Sequence, residues 1–140
     1  MVHSPSYISL ESALNYYNLI PEGVYMTTSV TTKRPLRLEM AGHKYSYSFI
    51  RKGLFGGYNL VEASNYKRKI RIADFEKAIV DFFYFHPEYN TNKTISELRF
   101  SEPQIRDHLN TDRLYRFLDD YSNNALNARI EHMLKICFHG

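Results

Sequence analysis

The segment FEKAIVDFFYF, residues 75–85, constrains the fold of this chain more than any other part of the sequence. Its phenylalanines and Ile79 recur at the three- and four-residue spacing that places side chains on one face of a helix. Asp74 precedes the segment as a cap, and a histidine–proline pair ends it. The pattern predicts a helix at the centre of the core, in which Lys77 and Asp81 stand four residues apart.

Upstream of this helix, alternating apolar and polar residues predict strands. Residues 24–32 are rich in β-branched side chains, which favour a strand. Two hairpins follow, the first joining residues 36–40 to 44–50 and the second joining residues 58–63 to 67–73. We therefore expect a mostly antiparallel sheet of about five strands.

Residues 6–20, SYISLESALNYYNLI, have the periodicity of an N-terminal helix. Ser9 is expected to cap its first turn, and Glu11 lies near the positive end of the helix dipole. A core-facing helix therefore begins within ten residues of Met1, so the chain is either self-sufficient from its first turn or the second part of a longer protein.

The last third of the chain is helical in pattern, with helix starts predicted at Thr94 and Ser101 from the capping-box spacing. The order helix, strands, helices predicts an α+β fold. Its length of 140 residues fits one domain, with an α/β core over about 1–88 and a helical tail over 89–140.

Positive charge is concentrated in the predicted sheet. Residues 33–71 contain ten basic and two acidic residues, a net charge of +8, whereas the rest of the chain carries −5. This division favours an acidic partner or a polyanion facing the middle segment. The candidate binding residues are Lys33, Arg34, Arg37, Lys67, Lys69 and Arg71.

Aromatic residues alternate with small and basic ones in the same region. Tyr45, Tyr47 and Phe49 share one face of a predicted strand. Single-stranded nucleic acid binders combine cations with aromatic stacking platforms, so sequence-independent binding is one alternative, with Lys67, Lys69 and Arg71 as its phosphate contacts. We expect Phe49 and Tyr45 to belong to the core instead, because the chain has 21 Tyr and Phe side chains to house.

The residues offer little catalytic or metal-binding chemistry. The six histidines form no pair four residues apart on one helix, and the single Cys137 excludes an intramolecular disulfide. Asp74, Glu76 and Lys77 have the chemistry of a nuclease-type site, and a degenerate nuclease or a modifying enzyme is the second alternative. Capping and the helix dipole are the preferred explanation of the two acids, because both lie at the first turn of a predicted helix. No catalytic residue, metal or cofactor is predicted.

Neither an apolar run of membrane-spanning length nor a signal-type start is present, which predicts a cytoplasmic protein with no membrane partner.

Three blocks of the sequence resemble the AbiEi-like antitoxins, the transcriptional-regulator half of abortive-infection type IV toxin–antitoxin systems of bacteria. The blocks are PSYISLESALNYYNLIPE (5–22), VYMTTSVTTKRP (24–35) and ADFEKAIVDFFYF (73–85), and their order and spacing match. The resemblance covers about residues 4–122. The matching residues are Ser6, Tyr7, Ser9, Glu11, Ser12, Thr28, Ser29, Thr31, Glu76, Lys77 and Asp81.

The resemblance implies an antitoxin role against a nucleotidyltransferase-like toxin, in bacterial phage defence. Members of the family join an N-terminal winged helix that binds operator DNA to a second domain that carries the antitoxin activity. The match here begins where that second domain begins, which implies that DNA would be bound through a winged helix outside this chain. Tyr7, Lys77 and Asp81 are the functional candidates that the resemblance adds.

Overall fold

The computed structural model of the chain describes residues 5–62 and 69–138. Its strands are β1 (Ser6–Ile8), β2 (Met26–Thr31), β3 (Leu36–Met40), β4 (His43–Phe49), β5 (Tyr58–Glu62) and β6 (Lys69–Ala73). Its helices are α1 (Leu10–Tyr16), α2 (Phe75–Phe85), α3 (Asn92–Ser96), α4 (Glu102–His108), α5 (Thr111–Tyr121) and α6 (Asn124–Phe138). The α+β prediction is confirmed. None of the described helices is both long and apolar enough to cross a membrane.

The strands form one mixed sheet in the order β3-β4-β2-β1-β6-β5. Both predicted hairpins are present as the antiparallel pairs β3–β4 and β5–β6, and β1–β2 is also antiparallel. The pairs β2–β4 and β1–β6 are parallel. The loop expected between β5 and β6, residues 63–68, lies outside the described residues.

The sixth strand, β1, was not predicted, because its residues were assigned to the start of the first helix. It is three residues long, and an alternation over three residues cannot be distinguished from the first turn of a helix. Tertiary pairing decides its structure. Residues Ser6 and Ile8 pair with β2, and Ile8 also pairs with Ile72 of β6.

Helix α2 has the bounds that its sequence pattern predicts and lies at the centre of the fold. It packs against α1, α5, α6 and β6. Every residue from Glu76 to Phe83 is buried, so the helix is enclosed on all sides rather than on one face. Lys77 and Asp81 are therefore carried into the interior with the apolar residues.

The sheet face opposite this helix carries hydroxyl and aromatic side chains. Tyr7 and Val30 point toward the helices, so their neighbours Ser29 and Ile8 point the other way, together with Tyr45, Tyr47 and Phe49 of β4. Tyr47 is buried and Tyr45 is half-buried, but 51% of Phe49 is exposed. The prediction that Phe49 belongs to the core is wrong, because it lies at the end of β4 on the face that the helices leave open.

The tail helices begin where local side chains cap them. Helix α3 is capped by Thr91, which forms a capping box with Thr94. The predicted start at Thr94 was therefore wrong by three residues. Ser101 caps α4 as predicted, since its hydroxyl accepts a hydrogen bond from the backbone N–H of Gln104.

The end of α2 is tied to α1 by an ionisable contact. The Nε2 atom of His86 lies 3.5 Å from a carboxylate oxygen of Glu11, and its Nδ1 atom lies 3.1 Å from one of Glu88. The hydrogen bond to Glu11 raises the pKa of His86, and desolvation opposes the rise in part. A positive charge there also faces the negative end of the α2 dipole.

We predict that His86 stabilises the fold mainly at acidic pH. Its raised pKa means that its stabilising contribution is fully present below the ordinary histidine pKa near 6.5 and is lost as pH rises through the raised value. The variant His86→Gln should lower the free energy of unfolding by about 0.5–1 kcal/mol near pH 5.5 and by little near pH 8.5.

Urea denaturation of both proteins at the two pH values checks this. The control is His132→Gln, since His132 contacts Asn92 rather than a carboxylate. An equal effect of His86→Gln at both pH values would contradict the prediction.

Candidate functional site

The centre of the candidate site is a buried ion pair on α2. The Nζ atom of Lys77 lies 2.9 Å from Oδ1 of Asp81, and the two side chains are 3% and 0% exposed. The sequence predicts this pair from its four-residue spacing, and the structure adds that it is enclosed. A buried charge is costly unless an opposite charge and hydrogen bonds surround it.

Four oxygen atoms surround the ammonium group of Lys77. Besides Asp81, these are the hydroxyl oxygens of Tyr7 at 2.9 Å and Tyr121 at 2.8 Å, and the carbonyl oxygen of Leu54 at 3.0 Å. An ammonium group has three N–H donors, so it is fully satisfied here.

The carboxylate of Asp81 is equally well partnered. Its Oδ2 atom accepts hydrogen bonds from Tyr7 at 2.9 Å and from Ser9 at 2.9 Å, and its Oδ1 atom accepts from Lys77 and Tyr121. We call Tyr7, Ser9, Lys77, Asp81 and Tyr121 the buried polar cluster. All five side chains lie in the protein interior.

Burial fixes the protonation state of the two tyrosines. Desolvation raises the pKa of Tyr7 and of Tyr121 well above the usual range, and the negative charge of Asp81 raises both further. Both hydroxyls therefore keep their protons and act as donors to the carboxylate. The tyrosine oxygens are therefore protonated and held in a closed hydrogen-bond network, so neither is present as a phenolate.

The cluster joins segments that are far apart in the chain. Tyr7 belongs to β1, Lys77 and Asp81 to α2, and Tyr121 to the last turn of α5. Ser9, which immediately precedes α1, was predicted to cap that helix, but it makes no side-chain cap hydrogen bond. Its hydroxyl is directed to the buried carboxylate of Asp81 instead, and the N–H of Ser12 in the first turn of α1 donates to Thr28.

A second set of contacts joins the first two sequence blocks. The N–H of Ser12 donates to Oγ1 of Thr28 at 3.0 Å, and the N–H of Thr28 donates to Oγ of Ser12 at 2.9 Å. The Thr28 hydroxyl also donates to the carbonyl of Ser9 at 2.6 Å. These reciprocal bonds fix α1 on β2. Ser29, the next residue of β2, lies on the sheet face opposite to Thr28 and takes no part in these contacts.

The side chains of Asp74, Glu76 and Lys77, considered for a nuclease-type site, do not point to a common centre. Asp74 accepts a hydrogen bond from Asn59 at the edge of the sheet. Glu76 is buried and accepts the N–H of Asn110 at 2.8 Å, next to the start of α5. Lys77 turns to Asp81, so the three groups point to different partners. Glu76 therefore holds the start of α5, in addition to lying in the first turn of α2.

The candidate cationic residues are spread over the sheet. Lys33 and Arg34 are exposed after β2, Arg37 is exposed on β3, and Lys69 and Arg71 lie on β6. Three strands separate β3 from β6, which places them about 19 Å apart. Lys67 lies outside the described residues. The two ends of the sheet do not form one basic patch.

The two cations of β6 lie close to aromatic side chains, since Lys69 and Arg71 line a groove of about 390 Å³ together with Tyr45 and Tyr47. The guanidinium carbon of Arg71 is also 5.3 Å from the centre of the Tyr58 ring. Tyr58 in turn stacks on Tyr7. Within residues 5–62 and 69–138, Lys33, Arg37, Lys69 and Arg71 form no ion pair.

Cys137 and the histidines contribute no reactive centre in the part of the chain that the structure describes. Burial raises the pKa of the Cys137 thiol to about 11. No three His, Cys, Asp or Glu side chains of these residues come together in a way that could hold a metal ion.

No protein-family model matches the sequence, and no curated protein matches it. A function can therefore be inferred only from the geometry of the chain and from the resemblance of its three blocks.

Sequence reasoning missed two members of this site. They are Tyr121, which lies in the predicted helical tail, and the backbone carbonyl of Leu54. A tyrosine on an otherwise apolar stripe is a usable signal, since a buried hydroxyl needs a polar partner. The backbone carbonyl of Leu54 leaves no signal in the sequence.

We predict that removing the charge of Asp81 is strongly destabilising. In Asp81→Asn the Lys77 ammonium stays buried without a counter-charge, which should lower the free energy of unfolding by about 3–5 kcal/mol. Urea denaturation followed by circular dichroism measures this. Asp120→Asn, an exposed change on α5, is the matched control and should change it by under about 0.5 kcal/mol.

The double variant Lys77→Met, Asp81→Leu tests the same pair in another way. Because it removes both charges together, it should be less destabilising than the sum of the single changes. An Asp81→Asn protein as stable as the Asp120→Asn control would contradict the account.

We also predict that Gly57 cannot be replaced. Its φ is +69°, and a Cβ atom there would lie 2.9 Å from Cγ of Lys77 and 2.9 Å from Cε1 of Phe117. Since Lys77 is held by its hydrogen bonds, Gly57→Ala should cost about 2–3 kcal/mol in thermal or urea unfolding. Gly53→Ala is the control, because open space surrounds that position. Equal stabilities of the two variants would refute this prediction.

Proposed function

We propose that this chain is the antitoxin domain of a type IV toxin–antitoxin system, neutralising a nucleotidyltransferase-like toxin and contributing to autoregulation when joined to a DNA-binding domain. One observation supports this proposal above others. Six of the residues that carry the sequence resemblance come from three separate blocks and yet are joined by hydrogen bonds, namely Tyr7, Ser9, Ser12, Thr28, Lys77 and Asp81.

Tyr7 and Ser9 from the first block bind Asp81 from the third block. Thr28 from the second block binds Ser12 and the carbonyl of Ser9. A chance similarity of composition would not require these positions to be in contact. Their convergence supports the interpretation that the three blocks encode one shared fold.

The cluster also supports a non-enzymatic role. A catalytic group must reach its substrate, whereas the five side chains of the cluster are buried and every hydrogen-bonding group in them has a protein partner. Its chemistry is that of a scaffold that fixes the sheet, α2 and the helical tail together. We infer that the antitoxin activity resides on the outer surface of this scaffold.

Co-expression with a nucleotidyltransferase-like toxin, taken from the neighbouring gene where one is present, tests the proposal. We expect the chain to restore growth to cells that the toxin alone arrests. Asp120→Asn should retain protection, whereas Asp81→Asn should lose it in proportion to its loss of soluble folded protein, which is measured in the same cells.

Persistent growth arrest while the soluble wild-type chain is abundant would exclude an antitoxin role for these residues.

A further inference from the structure

A groove of about 410 Å³ lies beside the N-terminal half of the sheet, away from the buried polar cluster. It is formed by α1, the segment that leads into β2, the last turns of α2 and the end of α3. Glu11 and Thr28, two of the residues that carry the sequence resemblance, line the groove, but the antitoxin proposal assigns it no ligand.

The floor of the groove is apolar and aromatic. Phe82 and Tyr89 stack there with ring centres 5.6 Å apart, and Met26 and Leu98 complete the surface. Tyr25 stands at the mouth and is 92% exposed, more than any other large hydrophobic side chain of the described residues. Such a surface favours a ligand with apolar groups, and its rings also attract a cation.

The charge of the groove is opposite to that of the chain. Three glutamates line it, Glu11, Glu22 and Glu97, and no Lys or Arg does. The chain as a whole has a net charge of +3. Arg99 offsets the charge of Glu22 and His86 lies against Glu11, so the negative potential above the aromatic floor comes mainly from the exposed carboxylate of Glu97, which is complementary to an organic cation.

The three carboxylates differ in how they are engaged. Glu22 holds the exposed Arg99 at 2.5 Å, and Glu11 contacts His86 at 3.5 Å. Glu97 is exposed and forms no ion pair with any described residue. The Glu22–Arg99 contact shows that a guanidinium group binds at this rim, and Glu97 leaves a carboxylate for another one.

We propose that this groove docks a polypeptide segment of a partner protein that presents an arginine flanked by apolar residues. The guanidinium pairs with the exposed carboxylate of Glu97, since Glu22 already holds Arg99, and the neighbouring apolar side chains cover Phe82, Tyr89 and Leu98. The volume is large enough for a side chain together with its flanking residues. This site does not depend on the antitoxin proposal.

A blocked tripeptide, acetyl-Leu-Arg-Leu-amide, is the probe, with the citrulline analogue as its neutral isostere. Both are titrated into the full chain while the backbone amide signals of residues 22–26 and 97–98 are followed by nuclear magnetic resonance. We expect the arginine peptide to shift these signals and the citrulline peptide to bind about tenfold more weakly. Equal affinities, or shifts confined to other residues, would overturn the proposal.

Two further arms make the test specific. Glu97→Gln should weaken the arginine peptide about threefold, as expected for an exposed charge pair, whereas Glu39→Gln on β3 should leave its affinity unchanged. Spermidine, a cation without apolar side chains, should bind more weakly than the peptide. Tighter binding of spermidine would show that the groove takes a free amine rather than a polypeptide. Equal effects of Glu97→Gln and Glu39→Gln would show that the peptide is attracted by the overall charge and not by this groove.

Discussion

The buried ion pair between Lys77 and Asp81 is the interaction on which the rest of the structure depends. Helix α2 is enclosed on all sides, so these two charges enter the interior with it. They are tolerated there only because Tyr7, Ser9 and Tyr121 supply hydrogen bonds from three other segments. The need to satisfy one carboxylate thus fixes how the sheet and the helical tail are placed around α2.

This dependence explains which parts of the fold the sequence predicts. Helix α2 and the two hairpins follow from periodicities that extend over many residues, and their bounds were predicted closely. Strand β1 and the role of Ser9 were not, because both are decided by partners about 20 to 70 residues away. The spacing of Lys77 and Asp81 is visible in the sequence, whereas their burial is not, since a pair four residues apart is equally common on exposed helices.

The charges of the sheet show a similar limit. Ten basic residues within 39 positions suggest a single cationic surface, but a strand alternates its faces and a mixed sheet separates its ends. Arg37 and Arg71 consequently lie on strands about 19 Å apart, and only the cations of β6 line a groove with Tyr45 and Tyr47. The net charge of a sequence segment therefore does not show whether its charged residues share one surface, because that depends on the strand order.

A fully paired interior of this kind offers little to a binding partner. Because every polar group of the cluster is already satisfied, a partner gains nothing by reaching it, and an amino-acid change there acts through stability. The groove beside α1 has the opposite character, with an exposed aromatic ring, an apolar floor and a carboxylate that holds no described cation. Surface groups that are already held in place lose little conformational entropy when a ligand binds. The buried polar cluster fixes α1 and α2, which carry part of the groove, and so helps to position the surface that can bind.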